Sequence, residues 1–395
     1  MGRSVPFLYS LRLCLPAAKN SDIAPIDPID QEFFLTISHS ITAALLVLGS
    51  LTGVAHGSNI NAEASYVAFT VSGALGTYPM AINSSMTVTG YYLTTNNEAH
   101  GFIRTADGTI DTFDVGGAVE TEPASINAAG DITGFYVSTT TAFVYQTRSF
   151  LRYADGRIIT FDPPPQAGNA QEATSINDFD YVAGTVTDPY FSSYGFTRSR
   201  EGVYTEISLA NATVATAVNA SGSVVGYATP ASGATMGFVA HPDGYKSTFT
   251  VSAPPDAACT TTGTFPEAVN AEGTIAGWYV CPNVSNGFVM SPEGVVSVFQ
   301  LPGAIVENRV SINEVGDVTG AYYEAPPVNG SLPRHGFVRN PYGTVTTFDP
   351  PDGDTPIFST QPTGINDAGV ITGFYVKWGV TGFLRVPPTG TITQQ

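Results

Sequence analysis

The stretch SINAAGDITGFYV, residues 125–137, recurs along the chain with small changes. It returns as SINEVGDVTGAYY at residues 311–323 and as GINDAGVITGFYV at residues 364–376. Alignment on the asparagine gives seven repeats, numbered here in chain order, with that residue at Asn83, Asn127, Asn177, Asn219, Asn270, Asn313 and Asn366. Self-similarity at a period of about forty to fifty residues predicts stacked structural units, as in a propeller or a solenoid.

Each repeat is predicted to hold four short strands joined by tight turns. The first strand ends at the asparagine, and the second reads ITGFYV or similar. A Gly-Phe segment such as HGFIR supplies the third strand, and a segment such as IITFD supplies the fourth. Asn-x-x-Gly suits the first hairpin turn, because asparagine accepts a local hydrogen bond and glycine adopts a positive φ. The second strand is apolar on both faces, which predicts a sheet packed between two others, with Gly134 leaving room for a neighbouring ring or backbone.

The two ends of the chain are offset against the repeat. Residues 65–71, SYVAFTV, resemble a fourth strand, since Phe69 precedes Ile82 by the same interval that separates Phe113 from Ile126. The seventh repeat ends at GTITQQ, before the phenylalanine of its fourth strand. We therefore expect residues 65–71 to pair antiparallel with residues 382–386. The predicted fold is an all-β, seven-bladed β-propeller of four-stranded antiparallel blades, closed by an N-terminal strand that completes the last blade.

The predicted hairpins separate two ends of every repeat. The turns between strands one and two and between strands three and four share one end, here named the turn end. The connections from strand two to three and from strand four to the next repeat lie at the other, the loop end. These connections are longer and more variable, and binding residues concentrate on variable loops over a rigid scaffold. We expect any functional surface at the loop end.

Composition and the early sequence indicate an exported protein. The formal net charge is −18, which argues against nucleic acid as a partner. The apolar run of residues 41–54, followed by Ala55, His56 and Gly57, is typical of a signal peptide; an uncleaved signal anchor is the alternative. We divide the chain into residues 1–57, an N-terminal extension with the signal peptide, and residues 58–395, the propeller. The expected location is secreted, periplasmic or in the cell envelope, with no transmembrane span after signal removal.

Cysteine usage agrees with export. Cys14 lies before the signal, so the mature chain keeps an even pair, Cys259 and Cys281. Both are predicted to lie at the loop end of the fifth repeat. We expect them to form a disulfide.

No local motif for catalysis or metal binding is present: the chain lacks HExxH, a CxxC pair, a P-loop and GxSxG. His100 and His335 occupy the same place in two repeats and are interpreted as packing residues. Asp114, Asp162 and Asp349 follow the phenylalanine of the fourth strand, where they either cap turns or ring a channel mouth and bind cations. We assign no catalytic, cofactor-binding or metal-binding residue and no cofactor.

The repeats resemble the bacterial extracellular HAF-type repeat family in their Asn-Gly turn, Gly-aromatic strand and Gly-Phe strand. The resemblance covers residues 66–395, although the third element reads HGFIR, HGFVR or plain GF where the family has His-Ala-Phe. It implies secretion and a repeat structure. It implies no activity, so no catalytic position is carried over.

The preferred function is a secreted, non-enzymatic binding or surface-interaction module that uses the loop end. Its partner is an unknown protein or glycan, and we expect a monomer. The alternative is a propeller enzyme, a lyase or hydrolase with carbohydrate as a candidate substrate and site residues at the central channel. A purely structural envelope component is a third class. Three or more carboxylates, histidines or arginines that converge on the channel would favour the enzyme.

Overall fold

The computed structural model describes residues 63–139, 145–162, 170–188, 192–252, 261–281, 284–301, 304–306, 309–324, 333–351 and 359–388. Over these residues the fold is all-β and contains no helix, as predicted. The described residues belong to one compact unit, Ile60–Gln395. The predicted N-terminal extension and signal peptide lie outside the described residues. Within the described part, no helix is long and apolar enough to cross a membrane.

The strands follow the repeat, and β1 (Ser65–Phe69) precedes the first copy. The first strand of each repeat leads into the asparagine: β2 (Gly76–Ile82), β6 (Glu120–Ile126), β10 (Ala170–Ile176), β14 (Ala212–Val218), β18 (Gly263–Val269), β22 (Ala304–Val306) with β23 (Ser311–Ile312), and β27 (Ser359–Ile365). The second strand carries the mid-strand glycine: β3 (Val88–Leu93), β7 (Ile132–Thr139), β11 (Val182–Thr187), β15 (Val224–Thr229), β19 (Ile275–Cys281), β24 (Val318–Glu324) and β28 (Ile371–Val376).

The third strand contains Gly-Phe: β4 (Ala99–Arg104), β8 (Tyr145–Arg152), β12 (Ser193–Arg198), β16 (Met236–Ala240), β20 (Val284–Met290), β25 (Arg334–Arg339) and β29 (Val380–Val386). The fourth strand is the shortest: β5 (Ile110–Phe113), β9 (Ile158–Phe161), β13 (Tyr204–Ile207), β17 (Lys246–Phe249), β21 (Val296–Phe299) and β26 (Val345–Phe348). Within a repeat, consecutive strands pair antiparallel, as in β6–β7–β8–β9.

The asparagine turn has the geometry that its sequence predicts. In the second repeat the side-chain oxygen of Asn127 accepts a hydrogen bond from the backbone N–H of Asp131, at 2.8 Å. Gly130 has φ +91°, and in two other repeats Met86 and Asp180 adopt φ of about +60° at the same place. Residues other than glycine rarely adopt a positive φ. Met86 and Asp180 adopt it because the surrounding turn fixes their backbone conformation.

The mid-strand glycine is required by close packing of two backbones. A β-carbon added to Gly134 would lie 2.2 Å from the carbonyl oxygen of Glu122 on the adjacent first strand. The first strand bulges beside it, because its register shifts between Pro123 and Ser125. The predicted role of this glycine, leaving room for neighbouring backbone, is confirmed.

The core lies between consecutive repeats. A phenylalanine of the third strand is almost completely buried in every repeat: Phe102, Phe150, Phe196, Phe238, Phe288, Phe337 and Phe383. One hydrophobic cluster joins Ile132 and Phe150 of the second repeat to Val115 and Phe113 at the end of the first. Another joins Val71, which follows β1, to Val88 of the first repeat and Leu384 of the seventh. Sheets that are apolar on both faces pack against two neighbours, which explains the pattern of the second strand.

The two ends of the described chain are paired. β1 runs antiparallel to β29, with Ser65 opposite Val386 and Phe69 opposite Gly382. This is the pairing that the offset of the repeats predicts. Phe69 packs on Gly382 in the way that Phe113 packs on Gly101, so β1 occupies the place of a fourth strand.

Arginine side chains make cation–π contacts with a ring of the preceding repeat. The guanidinium carbon of Arg152 lies 5.0 Å from the ring centre of Phe113, on the preceding repeat. Arg104 of the first repeat lies 5.0 Å from the ring of Phe69 in β1. A cation–π contact between repeats is therefore also present between β1 and the first repeat.

Candidate functional site

The asparagines make a cyclic set of hydrogen bonds. Each side-chain amide donates to the backbone carbonyl of the asparagine in the next repeat: Asn83 to Asn127, Asn127 to Asn177, Asn177 to Asn219, Asn219 to Asn270, Asn270 to Asn313, and Asn313 to Asn366. The seventh bond runs from Asn366 back to the carbonyl of Asn83, at 3.2 Å. The asparagine thus closes its own turn with one side-chain atom and contacts the next repeat with the other.

The first strands surround a central channel. Its cavity has a volume of about 400 Å³ and is lined by residues of all seven repeats. In each repeat the third residue before the asparagine lines it: Met80, Ala124, Thr174, Thr216, Glu267, Val310 and Thr363. The asparagines lie at the turn end of this channel, and the beginnings of the first strands lie toward the loop end. Among these seven positions Met80 stands out by size and Glu267 by charge. Elsewhere in the lining the acidic side chains are Asp178, Glu314 and Asp367, which lie beside the asparagines at the turn end.

Two groups of stacked aromatic rings lie on the strands toward the loop end. Tyr78 stacks on Tyr91, with ring centres 4.8 Å apart, and contacts Phe374 of the seventh repeat edge-on at 5.1 Å. In the fifth repeat, Phe265 stacks on Trp278 at 4.1 Å. Half-buried aromatic side chains with polar tips provide flat, apolar surface together with hydrogen-bonding groups.

Charged side chains approach the channel beside these rings. Arg309 of the sixth repeat extends to the first repeat, where its guanidinium nitrogen lies 3.3 Å from the sulfur of Met80. Trp278 donates a hydrogen bond from its indole nitrogen to Glu267, at 3.1 Å. We name Met80, Tyr91, Glu122, Glu267, Trp278 and Arg309 the axial cluster. Its members come from the first, second, fifth and sixth repeats and are united only by the tertiary structure.

The carboxyl of Glu267 binds a proton more tightly than an ordinary glutamate carboxyl does. Dense surrounding protein raises the pKa of Glu267 to about 7, because loss of hydration outweighs the hydrogen bond from Trp278 and the attraction of Arg309. The side chain nevertheless keeps contact with the cavity. Burial likewise raises the pKa of Glu172, on the third repeat, to about 7. Both carboxyls therefore exchange protons near neutral pH.

Tyr91 is held in its neutral form. Burial and the negative charge of Glu122 raise the pKa of the Tyr91 hydroxyl far above its usual value, while Arg309 acts in the opposite direction. The hydroxyl is therefore a hydrogen-bond donor at any physiological pH. A neutral donor, an arginine and a carboxyl that titrates near pH 7 together meet the requirements for binding a polar ligand and for proton transfer.

The residues singled out from the sequence lie elsewhere. His100 and His335 contact Asp114 and Asp349 between the third and fourth strands, with ring nitrogen to carboxylate distances of 2.9 and 2.6 Å. In the second repeat Arg148 takes the place of the histidine and pairs with Asp162. These aspartates follow the outer fourth strands, pair with residues of the third strands and are not among the residues that line the cavity, so the alternative in which they cap turns fits the structure better. The histidines pack on aromatic rings, as Tyr92 and His100 show, but each also makes a hydrogen bond with an aspartate that packing alone does not predict.

The axial cluster was missed because no local motif carries it. A signal exists in the aligned repeats, where Glu267 occupies a position that is threonine in three other repeats. The described residues hold no group of three or more histidine, cysteine or acidic side chains that could bind a metal. Cys281 is buried at the end of β19, and Cys259 lies outside the described residues, so the disulfide stays a prediction.

Comparisons with known proteins identify the fold. No family model matches the sequence, and no curated protein matches it. A streptogramin B lyase is similar in structure, with 12% identity and a TM-score of 0.52 over 82% of this chain and 97% of that chain. The acylaminoacyl peptidase of Pyrococcus horikoshii is similar over 80% of this chain and 52% of that chain, with 12% identity and a TM-score of 0.51. At this identity the likeness concerns the fold alone, which is β-propeller-like.

Proposed function

We propose that the chain is a closed, seven-bladed β-propeller of four-stranded blades that binds a small polar ligand at the loop end of its central channel. The axial cluster is the observation that carries this proposal. Closure is supported by three contacts between the ends: the β1–β29 pairing, the Arg104–Phe69 contact and the hydrogen bond from Asn366 to Asn83.

The ligand class follows from the chemistry of the cluster. Trp278 and Tyr91 offer aromatic faces, which suit the apolar C–H face of a saccharide ring. Glu267 and Arg309 supply a hydrogen-bond acceptor and donors for the hydroxyl groups at the ring edge. Concave sites with a few converging polar groups are where small molecules bind. We therefore propose a mono- or oligosaccharide, the glycan partner expected from the sequence.

The binding proposal is tested by glycan-array screening followed by calorimetric titration of the saccharides that bind. The Glu267→Gln and Arg309→Met variants should each weaken binding by about tenfold or more, since a charged or strong polar contact is lost. Arg200→Met is the matched control, because Arg200 lies at the turn end and pairs with Asp180. Absence of any saccharide that binds, or equal binding by the axial variants, would contradict the proposal.

A second candidate function is acid–base catalysis at the same site. Glu267 favours it, because a carboxyl with pKa of about 7 is suited to accept and donate protons near neutral pH. Glu122 and Arg309 also act electrostatically on Tyr91, and Arg309 acts on Glu267, so three charged groups lie close to one another beside the channel. The reaction class would be elimination or hydrolysis of the bound saccharide, the alternative expected from the sequence.

Product analysis separates the two functions. Bound saccharides are incubated with the protein and analysed by mass spectrometry. Recovery of unchanged ligand supports a binding module. Cleavage that is lost in Glu267→Gln, while that variant still binds, supports the enzyme.

Export and the relation to HAF-type repeats also stay proposals. Mass spectrometry of the N-terminus of the secreted protein tests the first. A mature chain that begins near residue 58 would support it, and retention of residues 41–57 would support the signal anchor.

A further inference from the structure

The turn end carries an exposed apolar arc. Large hydrophobic side chains stand exposed in the hairpin turns of four consecutive repeats, the third to the sixth, with exposed fractions between 54% and 75%: Phe179, Val203, Tyr245, Val295, Val315 and Tyr342. We name these six residues the turn patch. Single exposed hydrophobic residues are ordinary, whereas a series on one side of a molecule marks an interaction site.

Apolar side chains at the turn-patch positions occur in only some of the repeats. Val203, Tyr245 and Val295 follow the glycine of the turn between strands three and four. In the first, second and sixth repeats the same place holds Thr109, Arg157 and Thr344. The turn itself does not require an apolar residue, because it forms equally with threonine or arginine there. The apolar side chains are therefore explained by something outside the hairpin.

Acidic side chains alternate with the patch. In the hairpin turns of the third to sixth repeats, exposed carboxylates occur at Asp178, Glu201, Asp243, Glu272, Glu293 and Glu314. Of the cationic side chains nearby, Arg200 is paired with Asp180, and the half-buried Lys246 follows Tyr245. Hydrogen bonds from its own backbone N–H and from Ser199 lower the pKa of Glu201, and one from Ser291 lowers the pKa of Glu293, so both remain charged at neutral pH. The apolar arc thus lies in a strongly negative surface.

The negative charge around the turn patch indicates which kind of partner can bind there. A second copy docked through the same end would place carboxylates against carboxylates, which opposes association. Anionic lipid and nucleic acid are repelled for the same reason. We infer that the turn patch docks a cationic segment of another protein, with Lys or Arg side chains against the turn carboxylates and apolar side chains against Tyr245 and its neighbours. This surface is distinct from the axial cluster, which lies toward the loop end.

The arrangement suits a protein interface. Burial of aromatic and aliphatic side chains at the centre supplies affinity, while the surrounding carboxylates speed encounter and reject other partners. The hairpins are rigid, since a backbone hydrogen bond closes each turn, as between Gly244 and His241 at 3.0 Å. A rigid, preformed surface loses little entropy on binding.

The test is selection of a random peptide library displayed on phage against the full mature protein. Enriched peptides should combine Lys or Arg with aromatic or aliphatic residues. Their affinity should fall about tenfold or more in the triple variant Val203→Ser, Tyr245→Ser and Val295→Ser, and also as sodium chloride is raised. The axial variant Arg309→Met should bind these peptides unchanged. Circular dichroism establishes that the triple variant is folded.

Several outcomes would overturn the inference. Enriched peptides that are neutral or acidic, or that bind the triple variant as tightly as the natural chain, would exclude a cationic partner. Concentration-dependent dimers in sedimentation equilibrium that disappear in the triple variant would assign the patch to a second copy. Neither result depends on saccharide binding at the axial cluster.

Discussion

At the residue scale, the repeated asparagine and glycine have more than a local role. Asn127 closes its own turn through its side-chain oxygen and donates its amide to the carbonyl of Asn177 on the next repeat. Gly134 permits the first strand to bulge against the second. Both are explained by structure alone, which leaves the non-repeated side chains, such as Glu267, to carry function.

The close packing at Gly134 predicts a large effect of a single methyl group. Gly134→Ala should lower the free energy of unfolding by about 2–4 kcal/mol, because the added carbon would meet the rigid carbonyl of Glu122. Gly116→Ala, in open space in the link to the same repeat, should change it by less than about 0.5 kcal/mol. Urea denaturation of both variants measures the difference. Equal stabilities would show that the backbone moves apart at little cost.

Glu267 predicts a pH dependence of stability. Its pKa is about 7 in the folded protein and near 4.5 in the unfolded chain, so the folded state binds more protons between these values. Stability should therefore fall as pH rises from about 4.5 to 7. Glu267→Gln should be more stable than the natural chain above pH 7, by on the order of 1–3 kcal/mol, and equal to it near pH 4.

Denaturation curves across this pH range, with Trp278 fluorescence as a local reporter, check the prediction. Glu201→Gln is the control, because that exposed carboxylate has a lowered pKa and its replacement brings no gain at high pH. A constant difference between Glu267→Gln and the natural chain at all pH values would contradict the expected titration. Glu172 contributes in the same direction, so the single variant removes only part of the dependence.

At the element scale, β1 has the partner most distant in sequence among the described strands. It lies more than three hundred residues from β29 in the chain and supplies the outer strand of the seventh repeat. Its Phe69 contacts Gly382 of that repeat, while Arg104 of the first repeat lies over the same ring. One short strand therefore contacts two repeats at once.

Removal of β1 should destabilise the whole fold. A chain that begins at Thr70 should lose at least about 3 kcal/mol relative to one that begins at Ala64, since the burial of Phe69 and the strand pairing are lost together. The exposed edge of β29 should also promote aggregation, which size-exclusion chromatography detects. Phe69→Ala should cost about as much as Phe113→Ala, its counterpart in the first repeat. Identical unfolding of the two truncated chains would show that β1 adds no stability.

At the scale of the whole molecule, the hydrogen bonds between asparagines bear on the proposed closure of the ring. In a ring every junction between repeats is equivalent. In an open stack, the junction between the seventh and first repeats would not exist. The bond from Asn366 to Asn83 is comparable in length to that from Asn177 to Asn219, at 3.2 and 2.8 Å.

Equivalence of the junctions can be measured directly. Asn366→Ala and Asn177→Ala should each lower the free energy of unfolding by about 1–3 kcal/mol, because each leaves buried backbone groups without a partner. Both asparagines also close their own turns, so the turn contribution is matched. Denaturant titrations give the two values. A much smaller loss for Asn366→Ala would favour an open arrangement.

The sequence by itself determined the elements and their order. The spacing of the asparagines predicts the strands, the Asn-x-x-Gly turns and the pairing of residues 65–71 with 382–386, because these depend on local turn chemistry and on a repeated pattern. The tertiary structure alone decided the site. The candidate site combines residues that lie more than two hundred positions apart in the chain, such as Met80 and Arg309. Only the arrangement of the first strands around the channel brings them close to Glu122 and Glu267. The pKa of Glu267 likewise arises from the atoms packed around it, which no local stretch of sequence specifies.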